Sequence, residues 1–90
     1  MSDEQNHNYC TGKIIDLANE LNVEGHNSQL VSAALMTASG IYATYSVAGN
    51  SGALEPSGMD KVVDAYRRNL EIIQARKKAE IAGQQQPADS

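Results

Sequence analysis

The stretch that decides the fold is residues 27–48, NSQLVSAALMTASGIYATYSVA. Its apolar residues recur at helical spacing, and no Asp, Glu, Lys or Arg occurs anywhere in residues 25–54. Asn27 or Ser28 is suited to accept a hydrogen bond from a first-turn amide as the N-cap. The run GNSG at residues 49–52 is a strong helix breaker. The stretch therefore predicts one long, uncharged helix.

This middle helix has two different faces on a helical wheel. One broad arc carries the large side chains, which need burial most; it consists of Leu30, Val31, Ala34, Leu35, Ala38, Ile41, Tyr42 and Tyr45. The opposite arc is small and uncharged and consists of Ser32, Ala33, Met36, Thr37, Ser39, Gly40, Ala43 and Thr44. We expect the neighbouring helices to cover the first arc.

The second arc predicts self-association. A helix that is buried all round needs neighbours on every side, and two further helices do not easily supply them. A solvated face of this length would normally carry Lys or Glu. The candidate self-association face is formed by Ser32, Met36, Ser39, Gly40 and Ala43.

A first helix is predicted upstream by an apolar stripe at spacings of four, three and four. The stripe consists of Cys10, Ile14, Leu17 and Leu21, with Ala18 alongside. Gly25 is suited to end this helix as a left-handed cap. Because Cys10 heads the stripe, and a free cysteine behaves as a small hydrophobe, we expect its thiol to be shielded.

A third helix follows the breaker. Ser57 and Asp60 match a capping box at its start, and Gly83 is suited to close it. Its apolar stripe consists of Met59, Val62, Val63, Tyr66, Leu70 and Ile73, and Ile81 extends it. Its outer face predicts ion pairs of Asp64 with Arg68, Arg67 with Glu71 and Arg76 with Glu80.

The composition predicts one small domain with a thin core. The 90 residues include six Ile, six Leu and five Val, with no Phe or Trp. We expect a flexible N-terminus over residues 1–8, a single helical domain over 9–82 and a disordered tail over 83–90. A chain with so few large aliphatic residues gains from sharing a core with a copy of itself, as a homodimer or a higher even oligomer.

Three segments carry a resemblance to a known family: LANEL at residues 17–21, VSAALM at 31–36 and AYRRNL at 65–70. In this order and spacing, over residues 9–75, the chain resembles a mainly proteobacterial family of small uncharacterised proteins, a domain of unknown function. The resemblance implies a small helical protein of bacteria. It carries no catalytic residue across.

Catalytic and metal-binding motifs do not appear in the sequence. His7 and Cys10 lie three residues apart, but no second His or Cys cluster completes a metal site, and His26 lies in a polar turn. There is no nucleophile elbow, phosphate loop or HExxH motif. We predict that the protein is not an enzyme and takes no cofactor.

A basic run supports the alternative function. Five of the seven positive charges lie on the last helix: Arg67, Arg68, Arg76, Lys77 and Lys78. Such a stripe can contact phosphates or an acidic partner. Acidic residues interrupt it, however, and the chain has a net charge of −4, so nucleic acid is not the expected partner.

A cytoplasmic location without a membrane span is expected. The middle helix has sufficient length to span a bilayer, but its serines, threonines and glycines make it weakly hydrophobic, and no Lys or Arg flanks it closely. The polar, acidic start lacks the features of a secretory signal. A lone cysteine fits a reducing compartment.

The sequence thus predicts an all-α, three-helix domain that is not catalytic. Its expected function is protein–protein interaction and self-association, with itself and with a protein of unknown identity as partners. The alternative is a small regulator or inhibitor that binds nucleic acid, or a nucleic-acid enzyme, through the basic face of the last helix. Steep salt dependence of binding would distinguish this alternative from self-association.

Overall fold

A computed structural model of the chain describes residues 2–49 and 52–85. Three helices follow one another: α1 (Asp3–Val23), α2 (Ser28–Ala48) and α3 (Pro56–Gln85). The described residues contain no strand. The prediction of an all-α fold with three helices is confirmed.

Helix α1 begins earlier than the sequence analysis predicted. Ser2 is its N-cap, and the Ser2 hydroxyl accepts a hydrogen bond from the Gln5 amide at 3.1 Å. The Gln5 side-chain oxygen accepts in return from the Ser2 amide at 3.0 Å. This reciprocal capping box satisfies two amides that a helix start leaves without partners. Residues 3–8, which we expected to be flexible, are therefore helical.

The turn between α1 and α2 confirms the predicted caps. Gly25 has a φ of 110°, a conformation that L side chains rarely adopt. The amide of the next residue, His26, donates to the Leu21 carbonyl at 3.2 Å. Asn27 caps α2, because its side-chain oxygen accepts from the Leu30 amide at 2.8 Å.

Helix α3 begins at Pro56, and the predicted capping box is wrong. Ser57 lies inside the first turn, where the Met59 amide already donates to the Glu55 carbonyl at 3.0 Å. Proline favours the first helical position because its fixed φ suits the helix and its missing N–H would have no partner there. The N-cap position is therefore Glu55, two residues before Ser57, and the pair Ser57 and Asp60 does not cap the helix.

Helix α3 also continues beyond its predicted end. Gly83 was expected to close the helix and to open a disordered tail over residues 83–90. The helix instead passes through Gly83 and ends at Gln85. Residues 86–90 lie outside the described residues.

The chain divides into two compact units. The single helical domain over residues 9–82 stays a prediction. The first unit runs up to Ala43 and contains α1 and most of α2. The second begins at Thr44 and contains the end of α2 and all of α3. Helix α2 thus contributes residues to both units.

The core of the first unit consists of one side chain from each of its helices. Ala18 of α1 and Val31 of α2 are both 8% exposed. Leu21 and Leu35 beside them are half-buried. Among the described residues of this unit, burial is therefore confined to these two small side chains, and the core is even thinner than the composition suggests.

The predicted stripe on α1 is only partly buried, and the expected shielding of Cys10 is wrong. Cys10 is exposed, and Ile14 and Leu17 are 53% and 57% exposed. The buried face of α1 is centred on Ala18, which lies about 100° around the helix from Leu17. Cys10 lies eight residues before Ala18, about 12 Å along the helix axis.

In the second unit, the start of α3 lies close to the loop that precedes it and to the end of α2. Gly58 is buried, and a Cβ built on it would lie 3.2 Å from Leu54 Cδ2 and 3.8 Å from Val47 Cγ1. Leu54 and Val62 are half-buried. The missing side chain of Gly58 allows the loop before α3 to pack against the first turn of the helix.

Candidate self-association surface

The predicted self-association face forms one arc of α2. Ser32, Ser39 and Gly40 are exposed, Met36 is 59% exposed and Ala43 is half-buried. Their spacing of three and four residues places them on one side of the helix. Among the described residues, no heavy atom lies within 4 Å of a Cβ built on Gly40. A second helix can therefore approach the backbone of α2 closely at this point.

The opposite arc of α2 is also exposed, and the expected burial of its large side chains is wrong. Leu30 is 55% exposed, Ile41 is 65% exposed, Tyr42 is 77% exposed and Tyr45 is 70% exposed. Burial on this arc is limited to Val31, with Leu35 half-buried. Large apolar side chains thus face solvent on an uncharged helix.

The expected burial of Tyr42, Tyr45 and Tyr66 on the core stripes is wrong for the single chain. Besides Tyr42 and Tyr45, Tyr66 of α3 is 44% exposed. Tyr9 is 61% exposed, and the Lys13 ammonium lies 5.5 Å from the centre of its ring. At this distance the cation interacts favourably with the ring face.

The five basic residues of the alternative function, Arg67, Arg68, Arg76, Lys77 and Lys78, are all exposed on α3. Among the described residues the ion pair that forms is Lys77 with Glu80, at 3.7 Å. The three pairs predicted at a spacing of four do not form among the described residues. Exposed pairs contribute little, so small differences in side-chain rotamer decide which pair forms.

The candidate chemical residues do not converge. His7, Cys10 and His26 are exposed, and the described part of the chain contains no group of three His, Cys, Asp or Glu side chains placed to hold a metal ion. A shallow, open depression at the end of α1 is lined by Asp16, Asn19, Glu20, Val23 and Glu24.

Helix α2 also meets the length and composition of a membrane span. An 18-residue window within its 21 residues has a mean hydropathy of 1.3. Val31 is the buried side chain of this helix. A buried helix of a water-soluble assembly has the same composition. The feature alone does not distinguish the two environments.

The apolar stripe of α3, which the sequence predicts to lie in the core, is exposed over most of its length. Met59, Val63, Tyr66, Leu70 and Ile73 of α3 recur at spacings of four and three, and all are at least 37% exposed. This spacing is typical of a helix that pairs lengthwise with another helix.

We compared the chain with known proteins by family, sequence and structure. No protein-family model, curated protein or solved structure matches it.

Proposed function

We propose that the protein is not catalytic and acts through protein–protein interaction and self-association, as a homodimer or a higher even oligomer. The observation that carries the proposal is the distribution of apolar surface. Ala18 and Val31 are the buried apolar residues of the described chain, whereas eighteen large apolar side chains are exposed. Large exposed apolar patches on a protein are typical of interaction sites, and these side chains recur at helical spacing along α2 and α3.

The free energy available from burying the exposed apolar side chains supports association. Full burial of a Val, Leu, Ile or Met side chain contributes about 1.5–3 kcal/mol. The large apolar side chains of α2 and α3 are about half exposed. Their burial by a partner would therefore add roughly half of this free energy. A chain of this size rarely reaches sufficient stability with one small core, and oligomerisation is a common remedy.

The face of Ser32, Met36, Ser39, Gly40 and Ala43 is the proposed contact on α2. Its lack of charge removes the desolvation cost that Lys or Glu would add. Its small side chains permit a close helix–helix approach. A reducing, cytoplasmic compartment remains part of the proposal, supported by the single cysteine.

The substitution Ser39→Arg tests this contact, because it places a charge at the centre of the face. We expect light scattering after size exclusion to show a smaller species, while circular dichroism remains helical. Asn19→Arg, at an exposed position of α1, is the matched control and should leave the mass unchanged. A wild-type monomer at high micromolar concentration, or a Ser39→Arg oligomer of unchanged mass, would contradict the proposal.

The exposed basic residues of α3 support a second candidate function. The protein would then be a small regulator or inhibitor that binds nucleic acid, or a nucleic-acid enzyme, through Arg67, Arg68, Arg76, Lys77 and Lys78. Phosphate contacts release counterions, so this binding would weaken steeply with salt. Association through burial of apolar surface would not weaken steeply with salt.

A further inference from the structure

We infer that the apolar seam of α3 pairs with the same seam of a second copy, in antiparallel orientation. The seam consists of Met59, Val63, Tyr66, Leu70 and Ile73. This inference rests on the proposed self-association and identifies a contact surface other than the α2 face.

The seam is exposed along its whole length. Met59 is 50% exposed, Val63 is 62% exposed, Tyr66 is 44% exposed, Leu70 is 42% exposed and Ile73 is 37% exposed. The spacing of four, three, four and three places the five side chains on one narrow stripe of a continuous helix. The stripe is about 21 Å long at 1.5 Å per residue. A stripe of this shape fits another helix better than a flat surface or a small ligand.

The residues beyond the seam favour an antiparallel pair. The position that continues the repeat after Ile73 is Lys77. A parallel pair would bring Lys77 of one copy against Lys77 of the other, within the apolar stripe. An antiparallel pair with its two-fold axis between Val63 and Tyr66 leaves both lysines outside the overlap. Such a contact is self-complementary, as a two-fold dimer requires.

The same register gives apolar layers in the centre. Met59 meets the partner's Leu70, and Val63 meets the partner's Tyr66. Each layer occurs twice because of the two-fold axis. All four residues of these layers are therefore paired with an apolar side chain.

Charges beside the seam complement each other in this register. Asp60 of one copy faces Arg67 of the other at the edge of the stripe, and this pair also occurs twice. Within one chain these residues are seven positions apart, about 10.5 Å along the axis, so they do not pair with each other. The ion pair of α3 uses Lys77 and Glu80 and leaves Asp60 and Arg67 for the partner. Opposite charges at such flanking positions select partner and orientation.

Cysteine cross-linking tests orientation and register together. In the full chain with Cys10→Ser, Val63→Cys and Tyr66→Cys are made separately, mixed, refolded together and oxidised. We expect a cross-linked dimer from the mixture and none from either variant alone, because position 63 meets position 66 of the partner. A mixture of Ala65→Cys and Ala75→Cys, on the outer side of α3, is the matched control and should not cross-link. About half of the dimers in the mixture contain both variants, which sets the upper limit of the yield.

The remaining outcomes overturn the inference. Cross-linking of either variant alone indicates a parallel pair. Absence of cross-linking from all samples excludes the seam as a contact. Light scattering of the Cys10→Ser parent separates the two proposals: an oligomeric parent without the mixed cross-link leaves self-association intact and removes only this seam, whereas a monomeric parent removes both.

A charge exchange provides a second measurement that keeps the apolar layers unchanged. Asp60→Arg and Arg67→Asp each create like-charge contacts across the axis, and we expect each to raise the dissociation constant by about 3- to 30-fold. The double variant restores the pairs with their signs reversed and should recover wild-type affinity. A double variant that is weaker than both single variants would overturn the register.

Discussion

Gly40→Ala separates the stability of α2 from its role in association. Glycine inside a helix is about 1 kcal/mol less favourable than alanine. A Cβ at this position meets no heavy atom of residues 2–49 and 52–85 within 4 Å, so the added methyl does not clash with them. We expect the isolated chain to gain about 1 kcal/mol of unfolding free energy, which raises Tm by about 4–8 °C for a domain of this size.

The effect on association has the opposite sign if the small face of α2 meets a second copy. The two added methyl groups then lie where the two backbones approach most closely. Overpacking of a close contact costs about 1–3 kcal/mol. Each 1.4 kcal/mol raises the dissociation constant about tenfold. Gly40→Ala should therefore stabilise the dilute chain and weaken the oligomer.

Thermal unfolding by circular dichroism over a wide range of protein concentration measures both effects. Gly12→Ala is the matched control, since Gly12 lies inside α1 and its Cβ position is equally open. The control should raise Tm by a similar amount at every concentration. Equal behaviour of the two variants at high concentration, together with unchanged dissociation constants, would refute a close contact at Gly40.

The thiol of Cys10 should react in the dilute native chain at nearly the rate of the urea-unfolded chain, because the side chain is exposed; strong protection measured with a chromogenic thiol reagent at low concentration would show that the residue is shielded after all. A generic DNA duplex should not bind with submicromolar affinity at physiological salt, because acidic residues outnumber basic ones. Fluorescence anisotropy checks this, and tight binding that weakens steeply with salt would favour the regulator function.

Capping residues and local composition set where the helices begin and end. The sequence predicts these positions where the capping residues are recognised. The uncharged run of α2, the Asn27 cap and the left-handed Gly25 are all found in the structure. The start of α1 was missed, although Ser2 and Gln5 stand at the spacing of a capping box. The polar composition of the first residues suggested flexibility and obscured this signal.

Burial was predicted less well, because periodicity identifies an apolar face but not the neighbour that covers it. The stripe through Leu17 is real, yet the contact is centred on Ala18. Burial of the large arc of α2 that contains Ile41 was expected because two neighbouring helices could cover it, but Ile41 is exposed. The candidate face through Ser39 and Gly40 is exposed as expected, but its role as a contact remains a prediction.

The exposure of the tyrosines determines what optical spectroscopy can detect in this protein. The chain has no Trp and no Phe, so its four tyrosines are its only aromatic chromophores. Three of them, Tyr9, Tyr42 and Tyr45, are at least 61% exposed in the folded chain. Unfolding of a single chain therefore changes their surroundings little. Near-ultraviolet dichroism and tyrosine emission should instead change with protein concentration, as partners cover the rings, while the far-ultraviolet signal reports on the helices.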